Sequence, residues 1–279
     1  LKRAAFVFEV RDLWPAFAVA VGVLRSPLLI RLSEGLERFL YRRADRLVIN
    51  SPGYLEHVRA RGARRVDLVP NGVDVTMFDP DARGAAFRAA HGLEGKFIAL
   101  YAGALGLSND LGVVLAAAAA LDDEPAIAIV LLGDGKERPA LEARARELGL
   151  RHVHFIPAVP KDEMDQALAA ADAGIAVLKP LEVYKTTYPN KVFDYMAAGR
   201  PVVLAIDGVI RQVVEKAGGG VFVPPGDPAA MAQAIRSLAR DPAAARRMGR
   251  AGREYVAAHF DRSALASGLE TILSQAAGP

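Results

Sequence analysis

"KTTYPNKVFDYMAAGRPVV", Lys185 to Val203, reads as a loop, a short helix, a tight turn and a buried strand. Pro189 suits the first helical position because it lacks an N–H that would be unsatisfied there. The N–H groups left free at that end, with the helix dipole, attract an anion. Lys191 adds a mobile positive charge at the same end, and Lys185 is a second candidate. Asp194 follows Lys191 by one turn on the same face. A carboxylate there can accept hydrogen bonds from two vicinal hydroxyls, as on a ribose. Gly199 allows a sharp turn into the strand from Pro201 to Leu204. On residue chemistry alone, the stretch is either a seat for a nucleotide diphosphate or an ordinary amphipathic helix with a capping turn.

Around it, strands and helices alternate. "AAFVFEV" (4–10) is a continuous apolar run, as in a buried parallel strand. In 27–44, Leu28, Leu32, Leu36, Phe39 and Leu40 form one helical stripe. Then come a strand, Ser51 as a cap with Pro52 behind it, and a helix ending at Gly62. Periodicity weakens over 75–95, which reads as a linker with a short helix. A second series follows: "KFIALYAG" and "DLGVVLAAAAAL", "AIAIVLLGDG" and "ERPALEARARELG", "HVHFI" and "KDEMDQALAAA", "AGIAVL" and the opening helix, "PVVLA", then "GGVFVP". Helical segments are expected at 227–239, 242–258 and 261–275. This alternation implies parallel sheets covered by helices, in an α/β chain with two Rossmann-like domains. Ligands of such sheets bind beyond the carboxyl ends of the strands, so the strand–helix junctions matter most.

Composition narrows the classes. The chain has 279 residues, 52% of them hydrophobic, enough for two cores. It has no Cys, which excludes a disulfide scaffold and any Cys-ligated metal and fits a reducing compartment. Residues 1–65 hold thirteen Lys and Arg against six Asp and Glu, a surplus of seven, so a total of +3 leaves the rest at −4. Either the first part meets an anionic surface or its solvated helix faces vary by chance. The apolar run from Trp14 to Leu24 is too short to span a bilayer. The first residue is Leu, from which a chain beginning inside a domain is expected.

"PNKVFDYMAAGRPVV" resembles the donor-site signature of the GT-B glycosyltransferases of family 4, retaining enzymes that use nucleotide sugars. "VRDLWP" (10–15), "RRADRLVINSPGYLEHVRARG", "VPNGVD", "YAGALG", "GDGKERPAL" and "PPGDPAAMAQAI" resemble further parts of it, in order, over nearly the whole chain. The resemblance implies a GT-B fold with an incomplete N-terminal domain: a remnant at 1–75, a donor domain at 76–257 and a segment at 258–279 that packs back on the first. Asp194 falls where the family's second acid binds ribose. Its first acid is replaced by Thr186, and "PNK" matches a subset acting in bacterial surface-polysaccharide synthesis, lipopolysaccharide included. The Arg and Lys that usually clamp the diphosphate are Ala104 and Asn109 here.

The expected site follows. Nucleotide contacts fall to Pro189, Asn190, Lys191 and Asp194, to backbone around Gly103 and Gly106, to Gly133 and Gly135 of "GDG", and to main chain near Ala158 and Val159. Sugar contacts fall by position to Thr186, Thr187 and Asp12. Arg11, where many relatives place a His, meets the leaving diphosphate or the sugar, or is a structural ion pair at a strand end. Catalysis is assigned to Arg11 and Lys191. The implied reaction moves a sugar from a UDP-sugar to a hydroxyl of a saccharide or lipid-linked acceptor, with retention and with no metal or other cofactor. "DPD" (79–81) spells a metal motif but sits in the linker. No nucleic acid is expected. A cytoplasmic location is expected, with the basic helix 27–44 as a candidate for peripheral contact at the inner face of the plasma membrane. Rivals are a UDP-sugar 2-epimerase of the same fold and a non-catalytic partner subunit that binds a nucleotide sugar.

Overall fold

The computed structural model describes residues 4–160 and 163–278. Two parallel sheets organise them. The first holds β1 (Val7–Val10), β2 (Arg46–Ile49) and β3 (Val66–Leu68) in that order, with Val7 opposite Arg46 and Leu47 opposite Val66. Its crossovers carry α1 (Ala16–Ala20), α2 (Pro27–Arg43) and α3 (Leu55–Ala60). As expected, the Ser51 side chain caps the turn before α3, accepting from Gly53 N. A 3-10 turn at Val75–Met77 and α4 (Ala85–Ala90) lead into the second series.

That series is β4 (Phe97–Ala102), α5 (Leu111–Ala119), β5 (Ile127–Leu132), α6 (Arg138–Glu147), β6 (Val153–Ile156), α7 (Met164–Ala170), β7 (Ala173–Val177), α8 (Asn190–Ala197), β8 (Val202–Ala205), α9 (Val209–Ala217), β9 (Gly220–Phe222), α10 (Pro228–Arg240), α11 (Pro242–His259) and α12 (Arg262–Ala277). The first two residues of "KDEMDQALAAA", the first three of the 1–75 unit and the last of 258–279 lie outside the described residues. The sheet order is β6-β5-β4-β7-β8-β9, all parallel. The winding reverses between β4 and β7, so the loops after these strands diverge and leave a crevice at their carboxyl ends.

Alternation along the strands fills two cores. Leu100, Val130, Val202 and Leu204 face α8, α9 and α11, while Tyr101, Ile129, Leu131 and Val203 face α5, α6 and α10. The weakly periodic linker is held by arginines donating to carbonyls. Arg253 bonds Phe78 O, Val75 O and Ala197 O, and the buried Arg200 bonds Ala82 O, Leu168 O and Ala169 O. Beyond α11 the chain returns to the first sheet. Val73 N donates to Phe260 O (2.9 Å), and Arg46 of β2 donates to Gln275 of α12 (3.1 Å).

The stripe on α2 does not face the core. Leu28, Leu32, Leu36 and Phe39 are 58–66% exposed, and the helix buries Glu37 and Tyr41 instead. Glu37 accepts from Arg61 (2.6 Å) and pairs with His57 (2.7 Å), both of which α3 brings alongside. Burial alone would raise its pKa, but these partners outweigh burial and hold it below the usual carboxylate range. The heptad-like pattern reports that a stripe exists, and the buried ion network decides which side faces in.

Candidate functional site

Carboxyl ends from both sheets line one cavity of about 590 Å³: Arg11 and Asp12 after β1, Asn50 after β2, Asn71 after β3, Ser108 after β4, and Leu178, Thr187, Tyr188, Pro189 and Asn190 after β7. A neighbouring cavity of about 470 Å³ shares Arg11, Asn71 and Asn190 with it and adds Asp194 and Arg262. The Asn71 amide donates to Asn190 Oδ1 at 2.9 Å, spanning the crevice between the sheets. Arg11 is exposed there and donates to Glu9 (3.3 Å) and Asn71 (3.5 Å). Its strand-end ion pair therefore exists, and its guanidinium still borders both cavities.

The helix that opens the sequence argument is α8, and its first turn faces this crevice. Pro189 occupies the cap position, not the first helical one (φ −68°, ψ 122°). Asn190 is exposed at the mouth and Asp194 lines the smaller cavity beside Phe193. Lys191 is not mobile, contrary to expectation. Its ammonium turns inward and lies 3.7 Å from the centroid of the Tyr101 ring, against Gly103. Burial pulls its pKa down to about 7. Burial is the only cause of that shift, and no carboxylate among the described residues opposes it. Lys191 and Asp194 thus diverge: the lysine points toward the end of β4 and lines neither cavity, while the acid lines the smaller one.

Lys185 does not join them, because its ammonium is taken by Glu182 at 2.6 Å on the exposed turn. Thr186 is also turned away. Its hydroxyl donates to Val183 O (2.7 Å) and its carbonyl accepts from Ser51 (2.5 Å), which makes it a contact between the two lobes. Thr187 and Asp12 line the larger cavity. Burial raises the Asp12 pKa, with Arg11 opposing.

The loop amides need correction too. Gly103 N–H donates to Leu132 O (3.0 Å) and Gly133 N–H to Ile156 O (2.9 Å), so neither is open to a phosphate. These glycines serve close approach instead. A Cβ on Gly133 would stand 2.0 Å from Gly103 O, and one on Gly135 2.2 Å from Leu105 O. Gly106 has open space around it. The Ala158 N–H, expected near a base, is accepted by Asp134 (3.1 Å). That bond and Arg138 (2.9 Å) hold the Asp134 pKa low. Asp134 therefore ties two loops together. Val159 packs against the core.

Sequence reasoning missed Tyr101, Asn71, Asn50 and Arg262. All but Arg262 stood inside quoted motifs, Tyr101 as the first residue of "YAGALG", where its place at the end of an apolar run pointed only to the core. Trp14 is 57% exposed and lines the larger cavity. Asn50 is buried, donates to Arg11 O (3.0 Å) and leaves its Oδ1 without a partner. Among the described residues no cluster of three metal-ligating side chains occurs, and no helix is long and apolar enough to cross a membrane. Asp79 accepts from Asp81 N within the linker turn.

Residues 85–255 match the family "Glycosyl transferases group 1", and residues 1–72 match a "Glycosyl transferase 4-like domain". D-inositol 3-phosphate glycosyltransferase of Segniliparus rotundus is 30% identical over 90% of this chain, which spans 56% of that relative's length. Among solved structures, Anabaena HepE in complex with UDP superposes with a TM-score of 0.81 at 20% identity (97% of this chain, 72% of that one). WaaG, a glycosyltransferase involved in lipopolysaccharide biosynthesis, does so with 0.77 at 19% (96% and 74%). The fold is GT-B, with parallel sheets as expected.

Proposed function

Because the chain belongs to the group 1 glycosyl transferases, we propose that its crevice binds a nucleotide diphosphate sugar, with UDP as the nucleotide, and passes the sugar to a hydroxyl of a lipid-linked saccharide. One observation supports the reading above the others: a lysine with no acid partner among the described residues sits at the switch point of the sheet, beside the first turn of α8. A desolvated cation there is costly without an anion and favours one that arrives.

In this reading the diphosphate lies between the first turn of α8 and the loop 103–109. Lys191 and the open helix amides stabilise the charge that grows on the leaving diphosphate. Asp194 holds the ribose, and the main chain of 156–159 borders the base. The sugar extends toward Asp12, Thr187 and Arg11, whose guanidinium can meet it or the diphosphate. The acceptor hydroxyl attacks the anomeric carbon as the bond to the diphosphate breaks. Retention, independence from metal and a role in cell-surface polysaccharide synthesis come from the family resemblance. Calorimetry with UDP tests the seat, and product analysis with a UDP-sugar panel, with and without acceptor, separates transfer from 2-epimerisation. Thr186, turned to the other lobe, and the uncharged Ala104 and Asn109 favour a second reading, a non-catalytic subunit that binds the nucleotide sugar without turnover.

The outward stripe of α2 supports a peripheral seat on the inner face of the plasma membrane, where a lipid-linked acceptor resides. Its apolar residues point to solvent and Arg31, Arg42 and Arg43 are exposed on the same helix, a pattern that suits an anionic bilayer. Co-sedimentation with anionic vesicles, lost in L32E/L36E, is the expected result; equal binding to neutral vesicles would count against it.

A further inference from the structure

The structure assigns a positioning role to Tyr101: its ring holds the Lys191 ammonium at the mouth of the diphosphate seat. The assignment rests on the nucleotide-diphosphate reading of that seat. Tyr101 is fully buried on the α5 and α10 side of the sheet, whereas Lys191 starts from α8 on the opposite side. The lysine reaches the ring by passing over Gly103. A Cβ there would stand 3.0 Å from Nζ, and the φ of +144° disfavours any other residue. Tyr101 and Gly103 at one strand end thus make a channel for one side chain.

A ring face attracts a cation but does not neutralise it. A carboxylate in the same place would cancel the charge and compete with an incoming anion. An aromatic partner fixes the ammonium in position and leaves its charge available. The same tyrosine also shapes the loop that borders the seat. Its hydroxyl donates to Ala104 O (2.7 Å), which also accepts from Asn109 Nδ2 (3.0 Å). Ala104 and Asn109 stand where the resemblance expects two cations. Here those positions brace the loop, and one ring-held lysine supplies the charge. Tyr101 touches no reacting atom and acts only through Lys191 and this loop.

The test compares wild type, Y101F and Y101L, first without ligand. Proton NMR should show the Lys191 ε-methylene shifted upfield by the ring current in wild type and Y101F, and at the ordinary lysine position in Y101L. Calorimetry with UDP between pH 6 and 9 should then give Y101F within about threefold of wild type. Y101L should bind about tenfold more weakly, as the loss of one cation–π contact implies, and its pH midpoint should move down, because burial remains while the ring that favoured the charged form is gone. Circular dichroism confirms that both variants fold. A missing upfield signal in wild type, Y101L with wild-type affinity and midpoint, or Y101F as weak as Y101L overturns the assignment. An upfield signal in a wild-type protein that fails to bind UDP overturns instead the nucleotide reading on which it rests.

Discussion

Replacing Lys191 by Met should make the protein more stable and worse at its task. The amine titrates near 10.5 in the unfolded chain and at about 7 in the fold. At about 1.4 kcal/mol per tenfold, carrying the charge near neutral pH costs at most about 5 kcal/mol. The Tyr101 face returns about 1–2 kcal/mol, and water reaching the half-buried stem screens part of the remainder. Met fills the same apolar channel without charge, so a gain of about 2 kcal/mol is expected, or ~2–4 °C in Tm for a chain of this size. The sign depends on pH. Between about 7 and 10.5 the unfolded chain holds a proton that the fold lacks, so wild-type stability rises with pH across that window. The advantage of the Met variant is therefore largest below about pH 7 and fades toward 10.5. Urea denaturation from pH 6 to 10 reads both the gain and its slope, and calorimetry should show UDP affinity at least tenfold lower. A variant that is less stable than wild type at pH 7, or that binds UDP unchanged, refutes the reasoning.

Other consequences follow from single contacts. An anion seated at Lys191 raises its pKa, so UDP binding should take up protons above about pH 7 and weaken as pH rises; calorimetry in two buffers of different ionisation heat measures the uptake. Gly133→Ala drives a Cβ to within 2.0 Å of Gly103 O, against backbone that cannot yield, and should cost about 3 kcal/mol or more in urea unfolding. Glu37 has its pKa lowered in the fold. The stability it provides should be present above about pH 4.5 and lost as pH falls below it, and Glu37→Ala should cost about 3 kcal/mol at pH 7 while flattening that acid limb. Asn71→Ala removes the bond to Asn190 across the crevice and should loosen the lobes with little change in Tm, seen as wider interlobe distances by spin-label spectroscopy.

The fold was legible because its signals are local. Apolar runs of strand length, caps such as Ser51 and glycines at strand ends each announce an element, and their alternation leaves parallel sheets as the packing that buries both faces. The site was legible only as a location. Residue type placed a cation and an acid at the start of α8, but not their directions; that of Lys191 is set by Gly103 and Tyr101 from a distant strand. Likewise "GDG" and "YAG" were read as phosphate contacts, while which amides remain open depends on neighbouring carbonyls such as Leu132 O and Ile156 O. Thr186 could be placed on a motif but not on a lobe, because its partner Ser51 lies 135 residues away. The stripe on α2 was visible, yet its outward orientation follows from Glu37, His57 and Arg61, whose meeting no periodicity records.

A crystal structure of the protein with UDP tests the central claim most directly. The account expects the pyrophosphate against the first turn of α8, within hydrogen-bond reach of Lys191 Nζ, and the ribose hydroxyls on Asp194. A diphosphate bound elsewhere, or a Lys191 ammonium beyond hydrogen-bond reach of it, would contradict it.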